Sequence, residues 1–233
     1  MTDLKMCKSG RVFISKPSAI FSRKAPKAAL PVFGEFEAKL EVLKDTVDGL
    51  VKVSNGLEDG RIVSLEKEYK VSNVLLDKFP NWVYGKSKNR DVGDIYVSTA
   101  SGVFPVNIKL IGNNGSYYNN ICGLVRTVGQ LLYGRTISNR AQLATAMAKE
   151  PFTTEPQEYG VIAVNKGTGE AKCFTLFNIL ELYVNPSNAF QFNMKTLNTI
   201  SRTQAEGQQF IFDRTVEFFE SQAVAFNILN GNV

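Results

Sequence analysis

The 233-residue chain reads as an α/β (α+β) protein with a mixed central β-sheet flanked by helices. Two observations predict this class. Apolar residues recur at three- and four-residue spacing near 33–51, 62–79, 119–132 and 205–229, the period of a helix with one buried face. Between them lie short runs rich in β-branched and aromatic residues, DIYVS, FPVNIKLI and YGVIAVN with KCFTLF, bounded by glycine turns. Helices, strands, helix, strands, helix is an order that a mixed sheet covered by helices accommodates. At 44% hydrophobic and 21% charged, the chain is long and apolar enough to bury one sizeable core.

Residues 1–32, with Pro17, Pro26 and Pro31 among lysines and small residues, read as a basic N-terminal arm, and 33–233 as a single domain. From Phe33 the residues Phe36, Leu40, Leu43, Val47, Leu50 and Val51 form one apolar helical stripe, which Asn55 and Gly56 terminate. A second amphipathic helix runs from about Ile62 to Phe79, with Leu65, Tyr69, Leu75 and Leu76 among its apolar positions, until Pro80 breaks it. A polar loop then leads to a strand at DIYVS. Ser101 and Gly102 make a turn and Phe104 to Ile111 returns, so the pair is a hairpin. A glycine-asparagine loop precedes a helix from about Asn119 to Leu132, and a short helix follows near Ala141 to Lys149. Two strands joined around Gly167 to Gly169 come next, then a helical FNILELYV and a long phenylalanine-rich helix from about Ala205 to Leu229.

The chain contains no histidine, which excludes Ser-His-Asp triads, Cys-His pairs and histidine metal sites. Catalysis, if present, falls to carboxylates, amides, lysine, tyrosine and bound metal. Cys7, Cys122 and Cys173 are odd in number and lack a paired metal-binding spacing, which fits reduced thiols in the cytoplasm. Charged residues interrupt every apolar run, so no membrane span is expected. Charge falls in blocks: 1–32 holds seven basic residues against one acidic, 33–60 three against seven, and 61–90 seven against three. Two basic regions around an acidic one suit nucleic-acid contact, or a solvated tail and loop.

The hairpin carries the chemistry. In a strand's two-residue period Asn107 and Lys109 share a face, while Val106, Ile108 and Leu110 take the other. Asp94 opens the partner strand, thirteen and fifteen positions earlier, and the hairpin brings it toward both. A carboxylate, an amide oxygen and an ammonium then converge. Asp94, the Asn107 oxygen and the Ile108 carbonyl are hard donors suited to Mg2+. Lys109 is placed to orient or deprotonate an attacking water and to offset phosphate charge. Equally open on sequence alone, Asp94 caps a turn after Gly93, and Asn107 with Lys109 is the solvated face of an edge strand. Asp91 is the alternative to Asp94.

The pattern D94-IYV, VFPV-N107-I-K109 resembles the active-site hairpin of the PD-(D/E)xK nucleases, type II restriction endonucleases in particular. Here Val92-Gly93 replaces the proline that often precedes the aspartate, and Asn107 stands where the family usually has Asp or Glu, removing one negative charge. G34-E-F-E37 opens the first acidic helix, and the resemblance implies that a glycine-associated glutamate there, Glu37 with Glu35 as rival, supplies a further carboxylate. It also implies a restriction-endonuclease-like fold, a Mg2+ cofactor, double-stranded DNA as substrate and a homodimer. The phenylalanines Phe210, Phe212, Phe218, Phe219 and Phe226 are the expected dimer interface. Lys86, Lys88 and Arg90 are candidate phosphate contacts. Asn113, Asn114, Ser116, Tyr117, Tyr118, Asn119 and Asn120 are candidates to bind phosphate or read base edges, or simply form a loop capping the next helix. A non-catalytic nucleic-acid-binding protein and a structural or assembly protein are the other function classes these features admit.

Overall fold

The computed structural model describes residues 5–6, 12–13, 34–50, 60–85, 92–112, 118–185 and 189–229. Of the basic arm it describes two short strands, Lys5–Met6 (β1) and Val12–Phe13 (β2), paired antiparallel. Helices α1 (Gly34–Val47) and α2 (Gly60–Lys78) precede the central sheet. That sheet contains β3 (Val83–Gly85), β4 (Ile95–Thr99), β5 (Gly102–Ile111), β7 (Gly160–Asn165) and β8 (Ala171–Thr175) in the spatial order β3-β4-β5-β7-β8. Between β5 and β7 lie β6 (Tyr118–Gly123), α3 (Leu124–Tyr133) and α4 (Arg140–Lys149). After β8 come β9 (Tyr183–Asn185), β10 (Ala189–Asn193) and the long helix α5 (Gln204–Leu229).

Strands β3, β4 and β5 form an antiparallel meander, β7 runs parallel to β5, and β8 returns antiparallel to β7. The β5 to β7 connection is long because a parallel neighbour requires a crossover. A second sheet, in the order β6-β10-β9, is antiparallel throughout.

The expected mixed sheet flanked by helices is therefore present. One core lies between the sheet and the first two helices: Phe36, Leu40, Leu43 and Val47 of α1 and Val71 and Leu75 of α2 meet Val106, Ile108, Ile162 and Val164. Fully burying such side chains contributes about 1.5–3 kcal/mol each. The other core gathers Val161 and Ala163 from the opposite sheet face with α3, α4, α5 and the inner face of the second sheet, including Ile121, Phe190 and Phe192. Alternation along β5 and β7 makes this two-sided packing possible, since successive side chains leave for different cores.

Four expectations change. The first helix ends at Val47, because Gly49 takes a left-handed φ of 73° and its N–H bonds to the Gly169 carbonyl. Only glycine does this without strain. Tyr69, expected on the apolar stripe of α2, is 56% exposed. The helix expected from Asn119 begins at Leu124: Asn119 and Asn120 instead pair with Phe192 and Gln191 of β10. FNILELYV is not helical. Its Asn178, Ile179 and Leu180 are held by bonds to 198–200 and a bridge from Ile179 to Thr199, and Tyr183–Asn185 becomes β9. In both segments a non-local strand partner outweighs local helical spacing, as β-rich sequences allow. The strands β3 and β10 carry no expectation from sequence. Among the described residues no helix is long and apolar enough to cross a membrane.

Candidate active site

The entry to β4 is built by three contacts. Tyr159 donates its hydroxyl to the Val92 carbonyl at 2.9 Å. A side chain at Gly93 would lie 2.8 Å from the Ile95 carbonyl oxygen, 2.9 Å from Pro105 and 3.0 Å from the Val106 nitrogen, so glycine lets the chain run tight against β5. Asp94 then donates its backbone N–H to the Val106 carbonyl at 2.9 Å. The glycine that stands before Asp94 thus performs a packing task that a larger residue could not.

Pairing of β4 with β5 ends at Ile95 opposite Val106. Among the described residues no strand lies beside the β4-side edge of β5 from there to Ile111, while its other edge continues along β7 as far as Ile111 and Asn165. Ile108 and Leu110 point their N–H and C=O groups to the open edge, because residues two apart project to the same side. Two carboxylates fill it. Asp94 Oδ2 accepts the Ile108 N–H at 2.8 Å, and Glu68 Oε1 of α2 accepts the Leu110 N–H at 3.4 Å. The Ile108 carbonyl shares the edge that Asp94 occupies.

Asn107 and Lys109 leave β5 on the face away from α1 and α2, as the alternation of Val106, Ile108 and Leu110 into the first core requires. Asn107 is 4% exposed and its Oδ1 is a buried acceptor without a hydrogen-bond partner. An unpaired buried amide oxygen costs about 1–3 kcal/mol. Lys109 is half-buried. The field at Glu68 shows how close these groups are. Burial raises its carboxyl pKa, Lys109 opposes that rise, Asp94 adds to it, and the Leu110 N–H and Lys166 lower it. Lys166 follows β7 and donates its N–H to the Ile111 carbonyl at 2.9 Å. Its own pKa is lowered, chiefly by burial.

The structure sets the Asp94 carboxylate against the Ile108 N–H, between Asn107 and Lys109 in the chain of β5. The helix carboxylate that reaches β5 beyond Asp94 is Glu68, while Glu37 is directed elsewhere. Glu37 accepts a hydrogen bond from Asn178 Nδ2 and stands beside Glu158, bordering a cavity of about 310 Å³ lined also by Glu41, Cys173 and Thr175. Glu35, its rival, pairs with Lys39 at 2.9 Å and accepts the Ala100 N–H, so it buttresses the hairpin turn. Sequence spacing could have found Glu68, because E66-K-E68 sits on the helix immediately preceding the hairpin.

Lys86, Lys88, Arg90, Asp91, Asn113, Asn114, Ser116 and Tyr117 lie outside the described residues. Asn119 and Asn120 are in β6 rather than a helix cap. The phenylalanines expected at an interface are used internally: Phe212 and Phe218 are buried, and Phe210 and Phe219 pack against the same core. The side chain of Phe226 is outside the described set.

Among the described residues no three Asp, Glu, Cys or His side chains assemble as a metal cluster. A cation at the open edge would rest on a mixed set: the Asp94 carboxylate, the orphaned Asn107 Oδ1 and the Ile108 carbonyl, with Glu68 nearby. These are all hard oxygen donors and suit Mg2+ by chemistry. No protein-family model matches the chain, and no curated protein does.

Proposed function

We propose that the chain is a Mg2+-dependent, sequence-specific endonuclease of double-stranded DNA, of the type II restriction enzyme kind, hydrolysing phosphodiester bonds. The observation that carries this reading is the unpaired edge of β5. There Asp94 and Glu68 close on backbone N–H groups, Asn107 buries an acceptor without a partner, and Lys109 provides a cation within the same field. A buried acceptor left without a donor is expensive in a folded protein, and a bound cation would satisfy it. The helix, hairpin, helix order and the parallel strand beside the catalytic one support the reading.

Asp94, Asn107 Oδ1 and the Ile108 carbonyl would hold Mg2+, which when bound lowers the barrier by offsetting charge on the phosphate oxygens. The chain's own groups do the remaining work. Lys109 holds the attacking water and screens charge that builds on phosphorus as the 3′ oxygen departs in line. Glu68 accepts the Leu110 N–H and so fixes the strand end that presents Lys109. Tyr159 and Gly93 set the position of Asp94. None of these roles needs imidazole, which accords with the absence of histidine. The cytoplasm and a homodimeric state on a symmetric duplex belong to the same proposal.

The decisive experiment is digestion of supercoiled plasmid DNA by the full chain with Mg2+ and with a chelator. Discrete fragments with Mg2+, lost on chelation and lost in Lys109→Ala, are expected. Retention on DNA without cutting under any divalent cation would leave a binding protein. Neither retention nor cutting would favour a structural role.

A further inference from the structure

The second sheet is unusual in what it shows to solvent. None of its strands, YNNICG, YVN and AFQFN, contains a charged residue, although 21% of the chain is charged. Asparagine, disfavoured in strands, is concentrated there. The inner face explains itself: Ile121, Phe190 and Phe192 are buried in the second core. The outer face presents the amides of Asn120, Asn185 and Gln191 among its described side chains. Register places Tyr183, Gln191 and Asn120 side by side across the three strands. Gln191 Nε2 donates to Asn120 Oδ1 at 2.8 Å, and Asn185 Nδ2 donates to the same oxygen at 3.4 Å.

This network fixes the amides rather than leaving them to rotate. With its oxygen taken by two donors, Asn120 has its Nδ2 to offer as a donor, and Gln191, donating through nitrogen, has its Oε1 to offer as an acceptor. A donor and an acceptor held side by side match the N7 and N6–H2 of adenine, which asparagine and glutamine read in the major groove; beyond them on the same face Tyr183 donates its hydroxyl to the Glu181 carboxylate at 2.6 Å. Paired antiparallel strands are among the elements that groove admits, and β6 with β10 is such a pair at one side of the three-stranded sheet. Chain connectivity ties the ribbon to the candidate active site, since β6 follows β5 and so leaves the strand carrying Lys109.

We infer that the β6–β10 ribbon is the base-reading element of the enzyme, with Asn120 and Gln191 selecting adenine and Asn185 holding Asn120 in orientation. The inference rests on the nuclease reading and adds to it where sequence specificity resides. It makes Gln191 and Asn185, which lie 71 and 65 residues beyond Asn120 in the chain, part of the DNA interface.

The test is selection of a pool of duplexes with a randomised central segment by the full chain, with Ca2+ in place of Mg2+. Wild type should enrich a sequence with adenine at defined positions. Asn120→Ala and Gln191→Ala should each lose preference at the one adenine position they read together, by on the order of tenfold to hundredfold, while keeping the other positions and the same salt dependence. Gln191→Glu retains length and shape, so it guards against a folding artefact, and should move preference at its position from adenine to cytosine, whose N4 amine a carboxylate accepts. Unchanged enriched sequences in all variants would overturn the inference while leaving the nuclease reading intact. A wild-type site without adenine would do the same. A chain that neither binds nor cuts duplex DNA would remove both.

Discussion

Glu68 and Glu37 leave two helices that pack on the same face of the central sheet, and their neighbours send them to different fates. Glu68 reaches an unpaired strand edge where Lys109 and Lys166 pull against the burial that raises its pKa. Glu37 reaches Asn178 and a second carboxylate, Glu158, which is 3% exposed and has no hydrogen-bond partner for either oxygen. Burial first, and Glu37 second, push the Glu158 carboxyl up to about 9, so it holds its proton at neutral pH. Acidic side chains at similar depth thus differ by what stands opposite. Burial raises both carboxyls, but at Glu68 the cations Lys109 and Lys166 and the Leu110 N–H oppose the rise, whereas at Glu158 a second carboxylate adds to it.

That contrast is broken most easily at the open edge. Asp94→Ala and Lys109→Ala should each lower plasmid cleavage by at least roughly a hundredfold with unchanged circular dichroism, the scale of removing one preorganised transition-state group. Wild-type-like cutting by either variant would sink the site assignment.

The glutamates give the direct comparison. Glu68→Gln should reduce cleavage by about tenfold to a hundredfold, the usual cost of losing a supporting group around a metal. Glu37→Gln should leave the rate near wild type. A reversal of that order, measured in the same plasmid assay, would return Glu37 to the site and take Glu68 out of it.

Glu158 sharpens the other half. Its folded pKa is near 9 against 4.5 for an unperturbed glutamate, so the unfolded chain releases the proton first as pH rises. The stabilising effect of its protonation is complete below 4.5 and fades as pH climbs through about 9. The slope is at most about 1.4 kcal/mol per pH unit. Glu158→Gln should remove this component. Urea midpoints of the variant should exceed wild type increasingly from pH 6 to pH 8, and parallel curves would show that Glu158 is ionised in the fold.

The smallest effect is expected at Asn107→Asp. It restores a carboxylate beside Asp94, so cleavage should persist and half-maximal Mg2+ should fall by roughly tenfold, because the added charge strengthens cation binding. Complete inactivity with a folded protein would mean that the amide has a task of its own.

Much of this was legible in the chain. Helical spacing located α1, α2, α4 and α5, and alternation in FPVNIKLI assigned Val106, Ile108 and Leu110 to one face and Asn107 with Lys109 to the other. Those are local properties, written in periods of a few residues. The absence of histidine, which restricts the chemistry, is likewise a property of sequence alone. Other features depended on partners far along the chain. YNNIC is a strand because Ala189–Asn193 lies beside it, and FNILELYV is not a helix because 198–200 bonds to its Asn178 and Leu180 and β10 pairs with its Tyr183 and Val184. The choice between Glu68 and Glu37 required knowing where β4 stops along β5, since that sets which backbone edge is left open. The phenylalanines of α5 looked surplus to one helix face only until the second sheet and α4 were seen to need them. Periodicity fixes which side of an element is apolar. Which neighbour covers that side, and where a strand's pairing stops, is decided only when elements distant in sequence compete for the same surface.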